Sequence, residues 1–210
     1  MWDNAYCIHH LDEEHDTLLN LYSEAEKLGN QDRVVTFAST SKVSFPGAGM
    51  AALAASPTTI AQIKRRMSIQ TIGYDKINML RHTRYFSNFT AVKEHMKRHA
   101  AILRPKFKVV LDSLEKNLAG KGVCEWNSPR GGYFVSVNLM DGCACETIRM
   151  LAEAGVVMTP AGATFPHGHD PRDRNIRIAP TFPPVDELKI AMELFCICAE
   201  LVCARKLAGK

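Results

Sequence analysis

The sequence lacks three features that would each assign it to a class directly. It has no CxxC pair among its seven cysteines, no visible signal peptide or long apolar run, and no strong charge excess, since the formal net charge is +4 over 210 residues. An odd cysteine number without CxxC pairs argues against a disulfide framework and against a common zinc site. A reduced, cytoplasmic protein with no membrane segment is therefore expected.

Basic clusters and metal-type residue pairs are also scarce. The basic groups at 64–66 and 97–99 fit solvated helix faces, so nucleic-acid binding is not expected. The cysteines in "CAC" (143–145) fall on a predicted helix and point to different sides, and "HGH" (167–169) fits a glycine-rich loop. We therefore expect no metal.

The first part of the chain alternates strand and helix patterns, which is typical of an α/β layer structure. Its small apolar run "GMAALAAS" fits a strand closely packed by its neighbours. The predicted elements are a strand end with a turn at 1–8, a helix at 13–28 that ends at Gly29, a strand at 33–38, the small-residue strand at 49–56, a helix that begins at Ser56-Pro57, and a helix at about 75–86.

The second part begins with a long helical pattern at 89–118, which Pro105 is expected to kink. The remaining elements are strands near 123–127 and 133–138, a helix at 143–154, a strand "VVMT" at 156–159, a strand "NIRIAP" at 175–180 and a helix at about 185–207. We expect two domains, an α/β part at 1–87 and a smaller α+β unit at 88–210.

Lys42 is unusually placed for a lysine. It lies among serines and threonines, directly after the apolar run "RVVTFA" and before a glycine-rich bend. Asp3 ends the preceding predicted strand, and one helical crossover separates the two strands. The ends of parallel strands share one sheet edge, where ligands bind, so the Asp3 carboxylate and the Lys42 amine could serve one cofactor.

Pyridoxal phosphate (PLP) requires such a set of groups. It is held on a lysine as a Schiff base, and a buried carboxylate keeps its ring nitrogen protonated so that the ring can accept carbanion charge. A phenol beside the ring oxygen tunes the Schiff base, and hydroxyls can bind the phosphate. The planar fork of an arginine can hold a substrate carboxylate.

Four motifs, in order, extend this interpretation over nearly the whole chain. They are "DNAY" (3–6), "STSK" (39–42) followed by "PGAG", "SPRGGYFVSVNL" (128–139) and "NIRIAPTFPPVDEL" (175–188). Together they resemble the motifs of the class I/II, fold-type I PLP-dependent aminotransferases, and most closely a bacterial aspartate aminotransferase branch. The resemblance implies the C-terminal part of the large PLP domain plus the small domain.

The resemblance also implies a role for each matching residue. Lys42 would carry the cofactor and move the proton at the substrate α-carbon. Asp3 would pair with the pyridinium nitrogen, Tyr6 would hydrogen-bond the ring oxygen, Ser39 would contact the phosphate, and Arg177 would hold the substrate α-carboxylate. The "PRGG" turn is expected to be structural.

Two departures from the family pattern affect these expectations. Many relatives have a phosphate-binding arginine eight residues after the lysine, where this chain has Gly49 or Met50. The family is also about twice as long, and the segment before Asp3 normally holds the glycine-rich phosphate loop, the stacking aromatic residue and an asparagine. We therefore expect that this chain alone binds PLP poorly and does not transaminate.

The complete enzyme is expected to be a homodimer that moves an amino group between an amino acid, aspartate or glutamate, and a 2-oxo acid. Three alternatives stay open at this point. The chain could belong to another fold-type I PLP enzyme, such as a lyase or decarboxylase, to a PLP-binding regulatory module, or to an inactive fragment.

Overall fold

The computed structural model describes residues 1–209, which divide into two compact units. The first unit is Met1–Arg98 and the second unit is His99–Lys210, with the boundary inside a long helix. That helix, α4, spans Phe89–Leu118 and continues through Pro105. Each unit is built around its own three-stranded sheet.

The sheet of the first unit has the order β1-β2-β3. Strand β1 (Trp2–Asp3) runs parallel to β2 (Val35–Ser39), and Asp3 lies opposite Phe37. Strand β3 (Ala51–Ala55) is antiparallel to β2. The parallel pairing is the one that the Asp3–Lys42 hypothesis requires. The small-residue strand also forms, although most of its alanines are exposed rather than closely packed.

Three helices complete the first unit: α1 (Leu21–Lys27), α2 (Pro57–Gln70) and α3 (Lys76–Tyr85). The predicted start of α2 is confirmed, because Ser56 is its N-cap and accepts a hydrogen bond from the Thr59 amide at 3.3 Å.

The predicted helix at 13–28 is wrong over its first half, since α1 begins only at Leu21. The Asn20 side chain accepts a hydrogen bond from the Ser23 amide at 3.2 Å and so defines the helix start. The preceding "DEEHD" run (12–16) places like charges at helical neighbour spacings, which opposes a helix there. The predicted helix end is close to the observed one, and Gly29 has a φ of 66°.

The second unit has an antiparallel sheet in the order β4-β5-β6, with two helices in addition to the C-terminal part of α4. Its elements are β4 (Cys124–Trp126), β5 (Val135–Leu139), α5 (Ala144–Glu153), β6 (Asn175–Ile178) and α6 (Val185–Leu207).

The core of the second unit follows the sequence periodicity. Alternate residues of β5, Val135 and Val137, are fully buried, and so is Phe195 of α6. Buried positions of α4 recur at helical spacing, as at Val110 and Leu114.

The predicted strand "VVMT" is wrong. Residues 156–159 belong to no strand, and no strand pairing involves them within residues 1–209. Gly155 ends α5 with a φ of 88°, and the Val156 amide bonds back to the Leu151 carbonyl. Val157 is 89% exposed, so its apolar character does not reflect burial within this chain.

Candidate active site

Asp3 and Lys42 lie at the same edge of the first unit's sheet. Asp3 is the last residue of β1, and Lys42 lies in a turn that begins directly after β2. Because β1 and β2 are parallel, the carboxyl ends of both strands meet at this edge.

The Asp3 carboxylate is oriented by the turn that follows it. Its Oδ1 accepts a hydrogen bond from the Ala5 amide at 3.0 Å. Tyr6 lies in the same turn, and its ring contacts the His9 ring edge to face at 5.4 Å. The His9 Nε2 donates to the Lys42 carbonyl at 3.1 Å. The "DNAY" turn is thereby connected to the lysine turn through one histidine.

His9 is almost fully buried, with 3% of its surface exposed. Burial lowers its pKa below the ordinary value, although hydrogen bonds to the Lys42 and Tyr6 backbone act in the opposite direction. The Lys42 carbonyl is therefore held by a ring that favours its neutral form.

Ser39 and Ser41 form a pair of hydroxyls beside the lysine. Their Oγ atoms are 2.8 Å apart, and the Ser41 amide donates to the Ser39 Oγ at 3.1 Å. Gly49 approaches this pair so closely that a Cβ there would lie 2.5 Å from the Ser41 Oγ and 2.9 Å from its Cα. A Cβ at position 49 would therefore crowd both the hydroxyl and the backbone of Ser41.

The lysine turn has further anchors that the sequence interpretation missed. His82 contacts the Thr40 hydroxyl at 3.2 Å and the Ser44 hydroxyl at 2.7 Å. Asn78 donates to the Ala48 carbonyl at 2.9 Å. Asn78 and His82 lie four positions apart on one face of α3. This spacing is the only feature of the sequence that could have indicated that both contact the same loop.

Arg177 lies in β6 of the second unit, where side chains alternate between the two faces of the sheet. Ile176 and Ile178 are buried, whereas Arg177 lies on the other face, opposite Ser136 of β5. Its guanidinium carbon lies 4.4 Å from the centre of the Phe134 ring. Its Nε is buried and has no hydrogen-bond partner within residues 1–209.

A polar ladder supports the same face of this sheet. Asn175, two residues before Arg177, donates to the Ser136 Oγ at 3.0 Å and to the Asn138 Oδ1 at 2.9 Å. Its own Oδ1 accepts from the Thr164 hydroxyl at 2.6 Å. These hydrogen bonds join the loop at residues 161–166 to β6, the strand that carries Arg177.

Comparison with known proteins identifies the family. The profile of the aspartate amino-transferase family matches residues 1–210. This chain belongs to that family. An aspartate aminotransferase of Corynebacterium glutamicum is 38% identical over 209 residues, which is all of this chain and 48% of that protein. A protein of Mycolicibacterium smegmatis named as an aminotransferase is 41% identical over 209 residues, which is 49% of that protein. The chain thus spans about half the length of the curated relatives it matches.

Solved structures of the family confirm the fold. A crystal structure of an aspartate transaminase from Corynebacterium glutamicum has a TM-score of 0.92 at 38% identity, covering 98% of this chain and 48% of that one. An α-aminoadipate aminotransferase from Thermus thermophilus, complexed with a phosphopyridoxyl-leucine adduct, has a TM-score of 0.75 at 22% identity, covering 96% and 50%. The fold-type I α/β architecture predicted from the sequence is therefore confirmed.

The residues of the first unit fit the PLP cofactor expected for this aminotransferase family. A carboxylate, a lysine and a pair of hydroxyls share one sheet edge, and Gly49 keeps the backbone beside the hydroxyls free of a side chain. The Asp3 carboxylate is exposed within this chain, whereas the cofactor requires a buried one. Within residues 1–209, no cluster of three potential metal ligands occurs and no helix is long and apolar enough to span a membrane.

Proposed function

We propose that this chain carries the cofactor lysine and the substrate arginine of a PLP-dependent transaminase. The observation that supports this most strongly is the parallel pairing of β1 with β2, because it sets Asp3 and the Lys42 turn at one sheet edge. Membership of the aspartate amino-transferase family supports the reaction class.

Each residue of the first unit contributes one part of the proposed chemistry. PLP, when bound, supplies an electron sink for negative charge at the substrate α-carbon. Lys42 would hold the cofactor and move the proton at that carbon. Asp3 would keep a proton on the ring nitrogen, Tyr6 would donate to the ring oxygen, and Ser39 would donate to the phosphate.

Arg177 performs the binding step in the second unit. Its planar fork matches a carboxylate with two parallel hydrogen bonds, which lysine cannot reproduce. The ring of Phe134 holds one face of the guanidinium, so the fork is oriented before the substrate arrives.

We further propose aspartate or glutamate as amino donor, a homodimeric assembly and a cytoplasmic location. Similarity to the aspartate aminotransferase of Corynebacterium glutamicum supports the substrate. The seven free cysteines fit a reducing compartment. Because the chain spans about half of its relatives, we expect that it does not transaminate by itself.

A chimera tests the proposed function. This chain replaces the matching segment of the Corynebacterium glutamicum aspartate aminotransferase, and transfer from aspartate to 2-oxoglutarate is followed. We expect turnover, and Lys42→Ala should lower it by at least about 100-fold. Lys64→Ala, which removes an exposed lysine of α2, serves as the matched control and should have no effect. Equal activity of both variants would refute the assignment of Lys42, and a PLP-loaded chimera that releases products of elimination or decarboxylation would indicate a different PLP enzyme.

A further inference from the structure

The turn that carries Lys42 is closed by Thr40. The Thr40 carbonyl accepts hydrogen bonds from the amides of Val43 and Ser44, both at 2.9 Å. Thr40 is also joined to Met50, because its amide donates to the Met50 carbonyl and its Oγ1 accepts from the Met50 amide, each at 2.8 Å. Thr40 and Ser44 are therefore the two ends of a turn with Lys42 at its centre.

His82 connects these two ends. Its Nε2 lies 2.7 Å from the Ser44 Oγ and 3.2 Å from the Thr40 Oγ1, and only 6% of the residue is exposed. Its Nδ1 lies 2.9 Å from the Asn78 carbonyl. Since a carbonyl only accepts, Nδ1 carries a hydrogen, and in the neutral ring Nε2 is the acceptor.

The hydroxyl of Thr40 has the matching polarity. Its oxygen accepts from the Met50 amide, so its hydrogen can be donated to the His82 Nε2. Ser44 has two acceptors within reach, the His82 Nε2 and the Thr40 carbonyl at 3.2 Å. The ring therefore belongs to a polar network that includes both ends of the turn, in which the two hydroxyls share the single lone pair of Nε2.

The ring of His82 is itself fixed on several sides. The Phe45 ring meets it edge to face at 5.3 Å, and Asn78, one helical turn earlier, holds the Ala48 carbonyl further along the same loop. Helix α3 thus binds the loop both at the lysine turn and beyond it.

We propose that His82 is a positioning residue for Lys42. By joining Thr40 to Ser44 it fixes the backbone from which the lysine extends, and a misplacement of about 1 Å of a reacting group can cost about 100-fold in rate. This inference rests on the proposed function of Lys42, and neither the motifs nor the family resemblance assigned a role to His82.

The test uses the chimera described above with two independent measurements. The first is hydrogen exchange of the Val43 and Ser44 amides, which donate to the Thr40 carbonyl. The second is the rate at which PLP and borohydride label Lys42: the amine condenses with the aldehyde with loss of water, and borohydride delivers hydride to the resulting C=N bond. His82→Leu should increase the exchange rates and decrease the labelling rate by at least about tenfold each.

The threonine variants keep the proposal falsifiable if His82→Leu fails to fold. Thr40→Ser keeps the hydroxyl and should retain wild-type exchange and labelling, whereas Thr40→Val keeps the shape without the hydroxyl and should match His82→Leu. Thr83→Val, which removes an exposed hydroxyl bonded only to the Leu80 carbonyl of its own helix, is the matched control and should change nothing.

The two measurements separate the two claims. If wild-type Lys42 is labelled no faster than Lys64, the proposed function fails, and amide exchange alone decides whether His82 holds the turn. Equal exchange rates in Thr40→Ser and Thr40→Val would overturn the positioning role. Faster exchange in Thr40→Val with unchanged selective labelling of Lys42 would also overturn it, since the network would then be structural only.

Discussion

The two units of this chain are stabilised by different means. Among residues 1–209, the first unit buries four apolar side chains and the second unit buries 23. The first unit nevertheless buries three polar side chains, those of His9, Ser56 and His82. Two of these three bond the loop that carries Lys42.

The second unit has the larger apolar core, whereas the first unit carries the Lys42 turn. Burial of apolar surface is the main favourable term in folding, so the second unit has the larger intrinsic stability. The first unit leaves large apolar side chains of α2, α3 and the segment between them exposed, for example Ile69, Ile72 and Ile77 at 87%, 106% and 75%. Its order therefore depends more on specific hydrogen bonds around Lys42.

The largest expected effect is in the core of the second unit. Phe195→Ala removes a fully buried ring and should lower the free energy of unfolding by about 3–5 kcal/mol. Ile197→Ala on the same helix, where the side chain is 61% exposed, should change it by less than about 0.5 kcal/mol. Urea denaturation measures both, and comparable losses would show that the second unit is not organised around this core.

In the first unit, Gly49→Ala should strain the lysine turn, because the new Cβ would meet the Ser41 backbone. Overpacking of this kind costs about 1–3 kcal/mol, and we expect it in the unfolding of the first unit only. The control is Gly73→Ala, where the nearest atom is the end of the flexible Lys76 side chain at 3.1 Å. Equal tolerance of the two alanines would contradict the close approach at Gly49.

Arg177→Lys tests the proposed substrate contact of the second unit. Loss of the bidentate fork should lower kcat/KM for amino acids in the chimera by at least about tenfold, which corresponds to ~1.4 kcal/mol. The affinity for PLP should not change, because the proposed cofactor contacts lie in the first unit. A variant that loses PLP but keeps kcat/KM once saturated would assign Arg177 to the cofactor rather than to the substrate.

The smallest effect is a pH dependence in the first unit. Burial lowers the pKa of His9 below 6.5, so the unfolded chain takes up this proton first as the pH falls. The stability contributed by neutral His9 is fully present above pH 6.5 and is lost as the pH falls from there towards the lowered value. His9→Gln, which can still donate to the Lys42 carbonyl, should flatten the curve of unfolding free energy against pH over this range. An unchanged slope would show that His9 does not titrate as expected.

Much of the architecture could be predicted because the local signals agree with the packing. The Ser56-Pro57 pair starts α2, and the predicted bounds of the last helix match α6 at Val185–Leu207. Two signals misled for physical reasons. The apolar periodicity of 13–28 predicted one helix, but the acidic run at 12–16 opposes helix formation and α1 begins only at Leu21. The β-branched "VVMT" lacks a neighbouring strand to pair with within residues 1–209.

The candidate site was only partly accessible from sequence. The order of the sequence motifs indicates the family, and these motifs contain five of the candidate site residues: Asp3, Tyr6, Ser39, Lys42 and Arg177. His82, in contrast, is 40 residues from Lys42 and lies in no motif, so only the folded loop reveals its contacts. The sequence shows that Gly49 or Met50 stands where many relatives have an arginine, whereas only the folded structure shows how closely Gly49 approaches Ser41.

The most direct test of the central claim is to identify the lysine that holds the cofactor. The chimera is loaded with PLP, reduced with borohydride and digested, and its peptides are mapped by mass spectrometry. We predict one pyridoxyl group, on Lys42, in the wild-type chimera and no pyridoxyl group in the Lys42→Arg chimera treated in parallel. A label that stays on another lysine, or that persists at wild-type level in the Lys42→Arg variant, would contradict it.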